Sequence, residues 1–283
     1  MKYTTKRHIA SFVRVLIMVC IALIMIFPFL WVFSSSLKTN LEISQFPPSL
    51  LPKEAQWENF SALLADPIFW QFLRNTLLLI VGNTVGTLLS SSLVAYPLAR
   101  LTFPGKNLVF SIIVATMMVP GITLITPQYM LFNQFGWLDT LLPMIVPAFF
   151  AYPYNVFLFR QFFRSIPKDL DEAACIDGCG KIGVFLRILL PLSRPVFITI
   201  GILSAVFWWN ELTQPLIYVN SDTWKPLTVA LMTRFKFFGL GPNTTTWNVL
   251  MAVSTLMILP PILLYLCASR YLVEGIKTSG MKG

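Results

Sequence analysis

Trp208, Trp209, Asn210 and Glu211 place two indole rings, an amide and a carboxylate beside one another in an otherwise apolar stretch. Aromatic faces with a few hydrogen-bonding groups are typical of pockets for small polar solutes such as sugars. Polar groups inside a long apolar segment are functional candidates by default. The alternative is structural: Glu211 pairs nearby or bonds neighbouring backbone, and the tryptophans mark a membrane interface.

Pro120 and Gly121 interrupt a second apolar stretch, MMVPGITLITPQYM. A proline–glycine pair can break a helix and turn its backbone groups toward a pathway, or it can produce a packing kink alone. Gln128 and Asn155 add amides to the neighbouring apolar segments. We take Pro120, Gly121 and Gln128, together with residues 208–211, as the candidate solute pathway.

The segment SIPKDLDEAACIDGCGKIGVFLRILLPLSRP, residues 165–195, is far more charged than the apolar runs on either side. Ser165 can cap a helix, Pro167 suits a first turn, and Gly178 stops the helix. The helix dipole favours three carboxylates at this start: Asp169, Asp171 and Glu172. A second run, KIGVFLRILLP, has apolar residues at helical spacing and ends at Pro191.

Isolated helices this short are marginal in water, so another surface must hold them. The first, with alanines on its body and acids at one end, is suited to dock in a groove of another protein. The second can rest on a membrane surface. A solvated loop with ordinary capping is the alternative. We therefore predict that this loop is a docking element for a partner protein.

Sequence patterns for catalysis by this chain are missing. It has no G-x-x-x-x-G-K-[ST] phosphate loop, no H-E-x-x-H and no G-x-S-x-G, and its single histidine is His8. Cys175 and Cys179 share one helix face if the segment is one helix, but a metal site would need more ligands. We predict no enzyme activity, no metal and no cofactor.

Composition places these residues in a membrane. Of 283 residues, 56% are hydrophobic and 12% are charged, and mean hydropathy is +0.71; soluble domains have about 25% charged residues. The net charge of +9 is best explained by loops facing an anionic leaflet, rather than by nucleic acid. The four cysteines imply no disulfide framework.

Six apolar runs predict an all-α integral membrane fold, a single transmembrane domain over residues 1–283 with six transmembrane helices. A signal peptide is the alternative for the first run, but its apolar core is too long and no cleavage site follows. A two-helix cytoplasmic loop, residues 163–195, separates helices 4 and 5. Gly82 and Gly86 predict close helix packing in the second run. The predicted spans are about 13–33, 75–98, 108–131, 142–162, 196–218 and 248–269.

Charge asymmetry predicts the orientation. Most of the 21 Lys and Arg residues fall on one side of the six runs, and the positive-inside rule makes that side cytoplasmic. Both termini are then cytoplasmic, and the long loops 34–73 and 219–247 lie outside. Aromatic residues in both loops favour an ordered contact surface, with headgroup-level anchoring as the alternative. The outer bases are Lys38, Lys53, Arg74, Lys225, Arg234 and Lys236.

The stretch EAACIDGCGKIGVFLRILLPLSRP resembles the EAA loop of permease subunits of binding-protein-dependent ABC importers. Cys179 stands where the family more often has alanine. SSLKTNLEI, PPSLLP, AYPLARLTFPGK and WWNELTQPLIY are similar to the carbohydrate-importing branch, in particular to the MalG-like member of a permease pair. The matching loop residues are Glu172, Ala173, Ala174, Asp177, Gly178, Phe185, Ile188, Leu190 and Pro191.

The resemblance implies an assembly in the bacterial inner membrane. A second permease, a cytoplasmic ATPase dimer and an extracytoplasmic solute-binding protein would be its partners, with the last docking on residues 34–73 and 219–247. Glu172 would contact a basic residue of the ATPase, Ala173 and Ala174 would pack closely on it, and Gly178 would form the bend. The cargo implied is a sugar; a polyamine, or a secondary transporter or channel, is the alternative.

Overall fold

The computed structural model describes residues 2–235 and 246–280, with side chains over 11–235 and 246–267. Every regular element in these ranges is helical, which confirms the all-α prediction. Short 3-10 helices cover Gly121–Leu124 and Val146–Phe150, and a π-helix covers Phe185–Leu189. The α-helices are α1 (Lys2–Ser36), α2 (Asn40–Ile43), α3 (Glu58–Ala65), α4 (Pro67–Arg100), α5 (Lys106–Thr116), α6 (Ile125–Gln134), α7 (Leu142–Ile145), α8 (Pro153–Ser165), α9 (Asp169–Ile176), α10 (Lys181–Val184), α11 (Leu190–Leu192), α12 (Arg194–Asn210), α13 (Thr213–Tyr218), α14 (Leu227–Thr233) and α15 (Trp247–Gly280).

Six stretches of these helices are long and apolar enough to cross a bilayer if each bent pair counts as one span. Four are straight enough to be counted singly, and two are pairs bent by 88° and 74°. Each of the six predicted spans falls on one of them, in agreement with the predicted count. The four are Ser11–Ser36, Pro67–Arg100, Leu142–Ser165 and Trp247–Cys267; the pairs are Lys106–Thr116 with Gly121–Gln134 and Lys181–Leu192 with Arg194–Asn210.

Several predicted spans differ from the helices in their bounds, and the fourth is divided into α7, a 3-10 turn and α8. The second begins at Pro67 rather than near residue 75. Proline is favoured at the first position of a helix, where a backbone N–H would have no partner within the helix. The third is bent by 88° around Pro120, which lies in extended conformation before the 3-10 turn. The fifth stops at Asn210, and α13 follows after a break.

By backbone contacts the chain divides into two compact units. One comprises residues 1–67 and 231–260, the other residues 68–230 and 261–283. The predicted single permease domain stays a prediction. The candidate sites described below all lie in the second unit.

In the first unit the chain after α1 is an ordered surface. The Glu42 carboxylate accepts hydrogen bonds from the Ser49 hydroxyl (3.4 Å) and the Lys53 amide (2.9 Å). The Asn59 amide donates to the Ser36 carbonyl oxygen at 2.8 Å. Leu41, Phe46, Leu51 and Trp57 are exposed on this framework. An ordered contact surface was predicted for both outer loops; residues 236–245 of the second lie outside the described residues.

In the second unit α4 has buried residues along most of its length, and its glycines allow close packing. A Cβ on Gly82 would lie 2.8 Å from the Ile145 side chain, and one on Gly86 would lie 2.9 Å from the Phe149 ring. The predicted close approach is therefore confirmed. Thr84 meets Ser204 of α12 at 3.3 Å, as expected for polar groups that bond across helices. Asn83 does not: its amide donates to Leu79 O of its own helix.

Candidate functional site

The segment that carries the acids is a short helix with a glycine turn. In α9 the three acids lie in the first turn, near the positive end of the helix dipole. The Cys179 amide donates to Ala174 O (2.9 Å) and the Gly178 amide to Cys175 O (3.1 Å), the double bond of a Schellman end. Gly178 adopts φ +83°, which a side chain would strain.

Two predicted boundaries of this segment were wrong. Ser165 does not cap α9: it is the last residue of α8, and its hydroxyl donates back to Phe162 O at 2.7 Å. Pro191 does not end the second helix, because the chain passes through the π-helix and Pro191 then lies inside α11. The wider π turn releases the backbone hydrogen bond that proline cannot make, so the proline is accommodated.

The second helical piece buries one face in the core of the second unit. Val184, Phe185 and Leu189 are almost fully buried. The Phe185 ring lies 5.1 Å from that of Tyr96 and meets Phe163 edge-on at 6.3 Å. The predicted amphipathic face therefore packs within the described chain, so it needs no membrane surface to hold it.

Polar contacts from the end of α4 hold both pieces of the loop. The Tyr96 hydroxyl donates to Lys181 O at 2.7 Å, and the Arg100 guanidinium donates to Ile166 O at 2.9 Å. Arg100 Nε also lies 3.4 Å from a carboxylate oxygen of Asp171. The Arg100 side chain is 2% exposed and that of Asp171 is 20% exposed, so the pair is shielded from water. We call Tyr96, Arg100 and Asp171 the latch.

Sequence reasoning missed the latch. Tyr96 and Arg100 are four residues apart in AYPLAR and thus share a helix face. That spacing was the available signal, but it does not reveal which distant backbone groups the two side chains meet.

The opposite face of α9 is open. Glu172, Ala173, Ile176 and Asp177 are exposed, and Ile176 is 87% exposed. Among the described residues the Glu172 carboxylate forms no ion pair. Ala174 is buried within its own chain, so of the predicted alanine pair only Ala173 lies on the open face. An isoleucine and two acids around an alanine form a surface suited to contact another protein.

The two cysteines of this loop take part in neither a disulfide nor a metal site among the described residues. Cys175 is exposed, Cys179 is half-buried, and both are free thiols. Over the described residues there is no group of three or more His, Cys, Asp or Glu side chains able to hold a metal.

A cavity of about 650 Å³ lies where three helix interruptions meet. It is bounded by the bend after α5, by the start of α8 at Tyr152 and Pro153, and by the break between α12 and α13. Gly121 lines it, and a Cβ added there would meet nothing within 4 Å. Helix interruptions leave backbone groups available beside a cavity, as in many transport pathways.

Polar side chains of the predicted pathway line this cavity in part. Gln128, Glu211 and Gln214 all face it. A Glu211 carboxylate oxygen accepts from the Gln214 amide at 2.9 Å, which is the structural alternative expected for this acid. The Gln128 side-chain oxygen lies 3.4 Å from the Tyr218 hydroxyl.

Trp208, Trp209 and Asn210 are not among the residues that line the cavity. Both tryptophans are almost fully buried, and Trp208 packs in an aromatic cluster with Phe132 and Tyr218. The Asn210 amide turns back to Val206 O of its own helix at 2.8 Å. In this conformation the structure therefore brings Glu211, Gly121 and Gln128 together but leaves the two indoles outside.

Asp139 connects the loop after α6 to the loop after α13, next to Tyr218. Its carboxylate accepts from the amides of Ser221 (2.7 Å) and Asn220 (2.9 Å), and its own amide donates to Tyr218 O. The Ser221 amide is the main reason that the pKa of Asp139 lies below its ordinary value.

Comparison with known proteins gives consistent matches. Residues 82–278 match the family "Binding-protein-dependent transport system inner membrane component". The chain is 31% identical over 266 residues to the arabinooligosaccharides transport system permease protein AraQ of Halalkalibacterium halodurans, covering 93% of each chain. It is 31% identical over 258 residues to the melibiose/raffinose/stachyose import permease protein MelC of Bacillus subtilis, covering 90% of this chain and 91% of MelC.

The fold recurs in a solved structure, the crystal structure of a bacterial ABC transporter involved in the import of the acidic polysaccharide alginate. The TM-score is 0.82 at 24% identity, over 93% of this chain and 96% of that one. The family match covers well over half of the sequence, and relatives above 30% identity align along nearly all of it. The chain therefore belongs to the family of inner-membrane components of binding-protein-dependent transport systems.

Proposed function

We propose that the chain is one of two permease subunits of an ATP-driven importer, and that its cargo is a sugar or oligosaccharide. One observation carries the proposal: α9 presents Glu172, Ala173 and Ile176 outward while the latch ties the other side of the loop to α4. A short helix that is open on one face and braced on the other can pass a push from a partner to a membrane-spanning helix.

The partner at the open face would be a cytoplasmic ATPase dimer. Glu172 would contact a basic side chain, Ala173 would permit close approach, Asp177 and Gly178 would shape the turn, and Pro191 would fit the π turn. Glu172 is exposed here, so burial against a partner without a compensating base would be unfavourable. ATP hydrolysis would belong to the partner, and both termini would lie in the cytoplasm.

The cargo proposal is supported by the relatives, whose names specify arabinooligosaccharides and melibiose, raffinose or stachyose. The cavity fits it chemically, because Gln128, Tyr152 and Gln214 offer amide and hydroxyl groups to sugar hydroxyls. Pro120 and Gly121 would keep the helix open there, and Glu211 would fix the break. Trp208, Trp209 and Asn210 would contribute only in another conformation. A second permease would complete the pathway, and a solute-binding protein would dock on 34–73 and 219–247.

Glu172→Lys tests the coupling role in proteoliposomes that contain the whole importer. We expect sugar uptake to fall at least tenfold and to become uncoupled from ATP hydrolysis, because the reversed charge meets a base on the ATPase. Glu172→Asp keeps the negative charge on the same exposed face of α9 and serves as the control. Normal uptake and normal ATPase stimulation in Glu172→Lys would refute the role.

Titration calorimetry of the cognate binding protein with a panel of sugars and polyamines tests the cargo separately. Tight binding of an oligosaccharide is expected. Tight polyamine binding with no sugar bound would refute the sugar proposal while leaving the permease proposal intact.

A further inference from the structure

An aromatic contact fixes the register between α5 and α8. The Phe110 and Phe157 rings stack at 6.3 Å with an interplanar angle of 15°. The Arg160 guanidinium lies over the Phe110 ring, 3.7 Å from its centroid. Its Nε donates to Leu98 O at 3.1 Å, so the charge is held in place from α4.

This register gathers four bases at one end of the two helices. Lys106 begins α5, one turn before Phe110, and Arg164 follows Arg160 by one turn in α8; Lys168 comes directly before α9. The charges of Arg160, Arg164 and Lys168 all act on Lys106, and that of Arg164 acts on Arg160. Lys106 Nζ is held by Leu101 O at 2.7 Å. We call these four residues the basic cluster.

Acids do not balance the basic cluster. Over the described residues none of its members forms an ion pair. Of the three acids in the first turn of α9, Asp171 is paired with Arg100, and Asp169 and Glu172 are exposed. Arg160 is only 7% exposed. It is held by Leu98 O and the Phe110 ring, whereas Arg164 and Lys168 are exposed to solvent. The cluster is therefore a positively charged site that an anion from outside the chain can reach through Arg164 and Lys168.

We propose that the basic cluster binds the phosphate of an anionic phospholipid headgroup. Lys106 begins one apolar, membrane-length stretch and Arg160 lies in the last turns of another, and headgroup phosphates border the ends of such stretches. A guanidinium matches phosphate oxygens with two parallel donors, and a lysine adds a point charge. Basic pockets between membrane helices are suited to such headgroups. The site is independent of the cargo and of the latch.

The lipid would lie beside the two-helix loop, residues 163–195. Lys168 directly precedes α9, so an anion that it shares with Lys106 and Arg164 would tie the start of α9 to the ends of α5 and α8. The lipid would then favour the position of α9 in which its outer face is presented.

Native mass spectrometry of the intact importer tests the proposal, with nanodiscs of phosphatidylglycerol or phosphatidylcholine. We expect the wild type to retain phosphatidylglycerol, and Lys106→Gln/Arg164→Gln to retain it about 25-fold less tightly, since each base near an anionic surface contributes about 1 kcal/mol, or roughly fivefold. Arg187→Gln/Arg194→Gln removes two exposed bases of the same loop outside the cluster and serves as control.

Three results would overturn the proposal. The first is equal retention of phosphatidylglycerol by the wild type and the Lys106/Arg164 variant. The second is an equal loss in the control pair, which would indicate surface charge in general. The third is complete displacement of lipid by millimolar inorganic phosphate, which would indicate a site for free phosphate. Complex yield and thermal stability of the double variant are measured alongside. Lys106→Arg, which keeps the charge, is expected to retain phosphatidylglycerol as the wild type does.

Discussion

The Tyr96 hydroxyl donates a 2.7 Å hydrogen bond to the backbone carbonyl of Lys181, a residue 85 positions further along the chain. Because Tyr96 lies in the last turns of α4, this bond ties a membrane-spanning helix to the start of α10. Arg100, one turn later, lies beside Asp171 of α9 and donates to the Ile166 carbonyl, which follows α8. The loop is thus braced at two points by one helix face.

Removing Arg100 from the latch should reduce the coupling of ATP hydrolysis to uptake more than it reduces assembly of the importer. In Arg100→Gln the half-buried Asp171 carboxylate loses its counter-charge, so we expect α9 to shift and uptake to fall several-fold at unchanged ATP binding. ATP hydrolysis and uptake are measured together in proteoliposomes. Tyr96→Phe is the milder comparison: it keeps the ring on Phe185 and removes one hydrogen bond, which contributes about 1 kcal/mol. Uptake per ATP at wild-type level in Arg100→Gln would show that the brace has no role in coupling.

Filling the cavity from Gly121 should block transport without unfolding the protein. A Cβ at this position meets open space, so Gly121→Ala is expected to transport normally. Gly121→Trp places an indole in the cavity, and we expect uptake to fall at least tenfold while the thermal unfolding temperature stays near that of the wild type. Full uptake by a stably folded Gly121→Trp importer would place the solute pathway elsewhere.

Gly86 should be far less tolerant than Gly201, although both lie in helices. At Gly86 a methyl group would come within 2.9 Å of the Phe149 ring, and overpacking of this kind costs about 1–3 kcal/mol. At Gly201 the nearest atoms are 3.7 Å away, an ordinary contact. Thermal unfolding in detergent should therefore show a clear drop for Gly86→Ala and little change, or a gain, for Gly201→Ala. Equal stability of the two variants would contradict the tight packing of α4.

Asp139 should make one loop contact sensitive to acid. Its pKa is lowered in the folded chain, chiefly by the Ser221 amide, so its contribution to stability is complete above the ordinary carboxyl pKa of about 3.9 and is lost as the pH falls through the lower folded value. Asp139→Asn keeps the shape but removes this titration. Between pH 7 and pH 3 the unfolding temperature of the wild type should fall more steeply than that of the variant; parallel curves would exclude the assigned role of Asp139.

Local patterns in the sequence determined much of this protein. Apolar length predicted the membrane helices, acids before alanines predicted α9, and Gly82 and Gly86 predicted close packing, because each depends on neighbours a few residues away. Contacts between distant segments were decided by the tertiary structure alone. Packing determined that Tyr96 meets Lys181 and that Arg100 meets Asp171. It also brought three helix breaks around one cavity and buried Trp208 among Phe132 and Tyr218. Periodicity specifies which face of a helix is apolar, but only the packed chain specifies what that face meets.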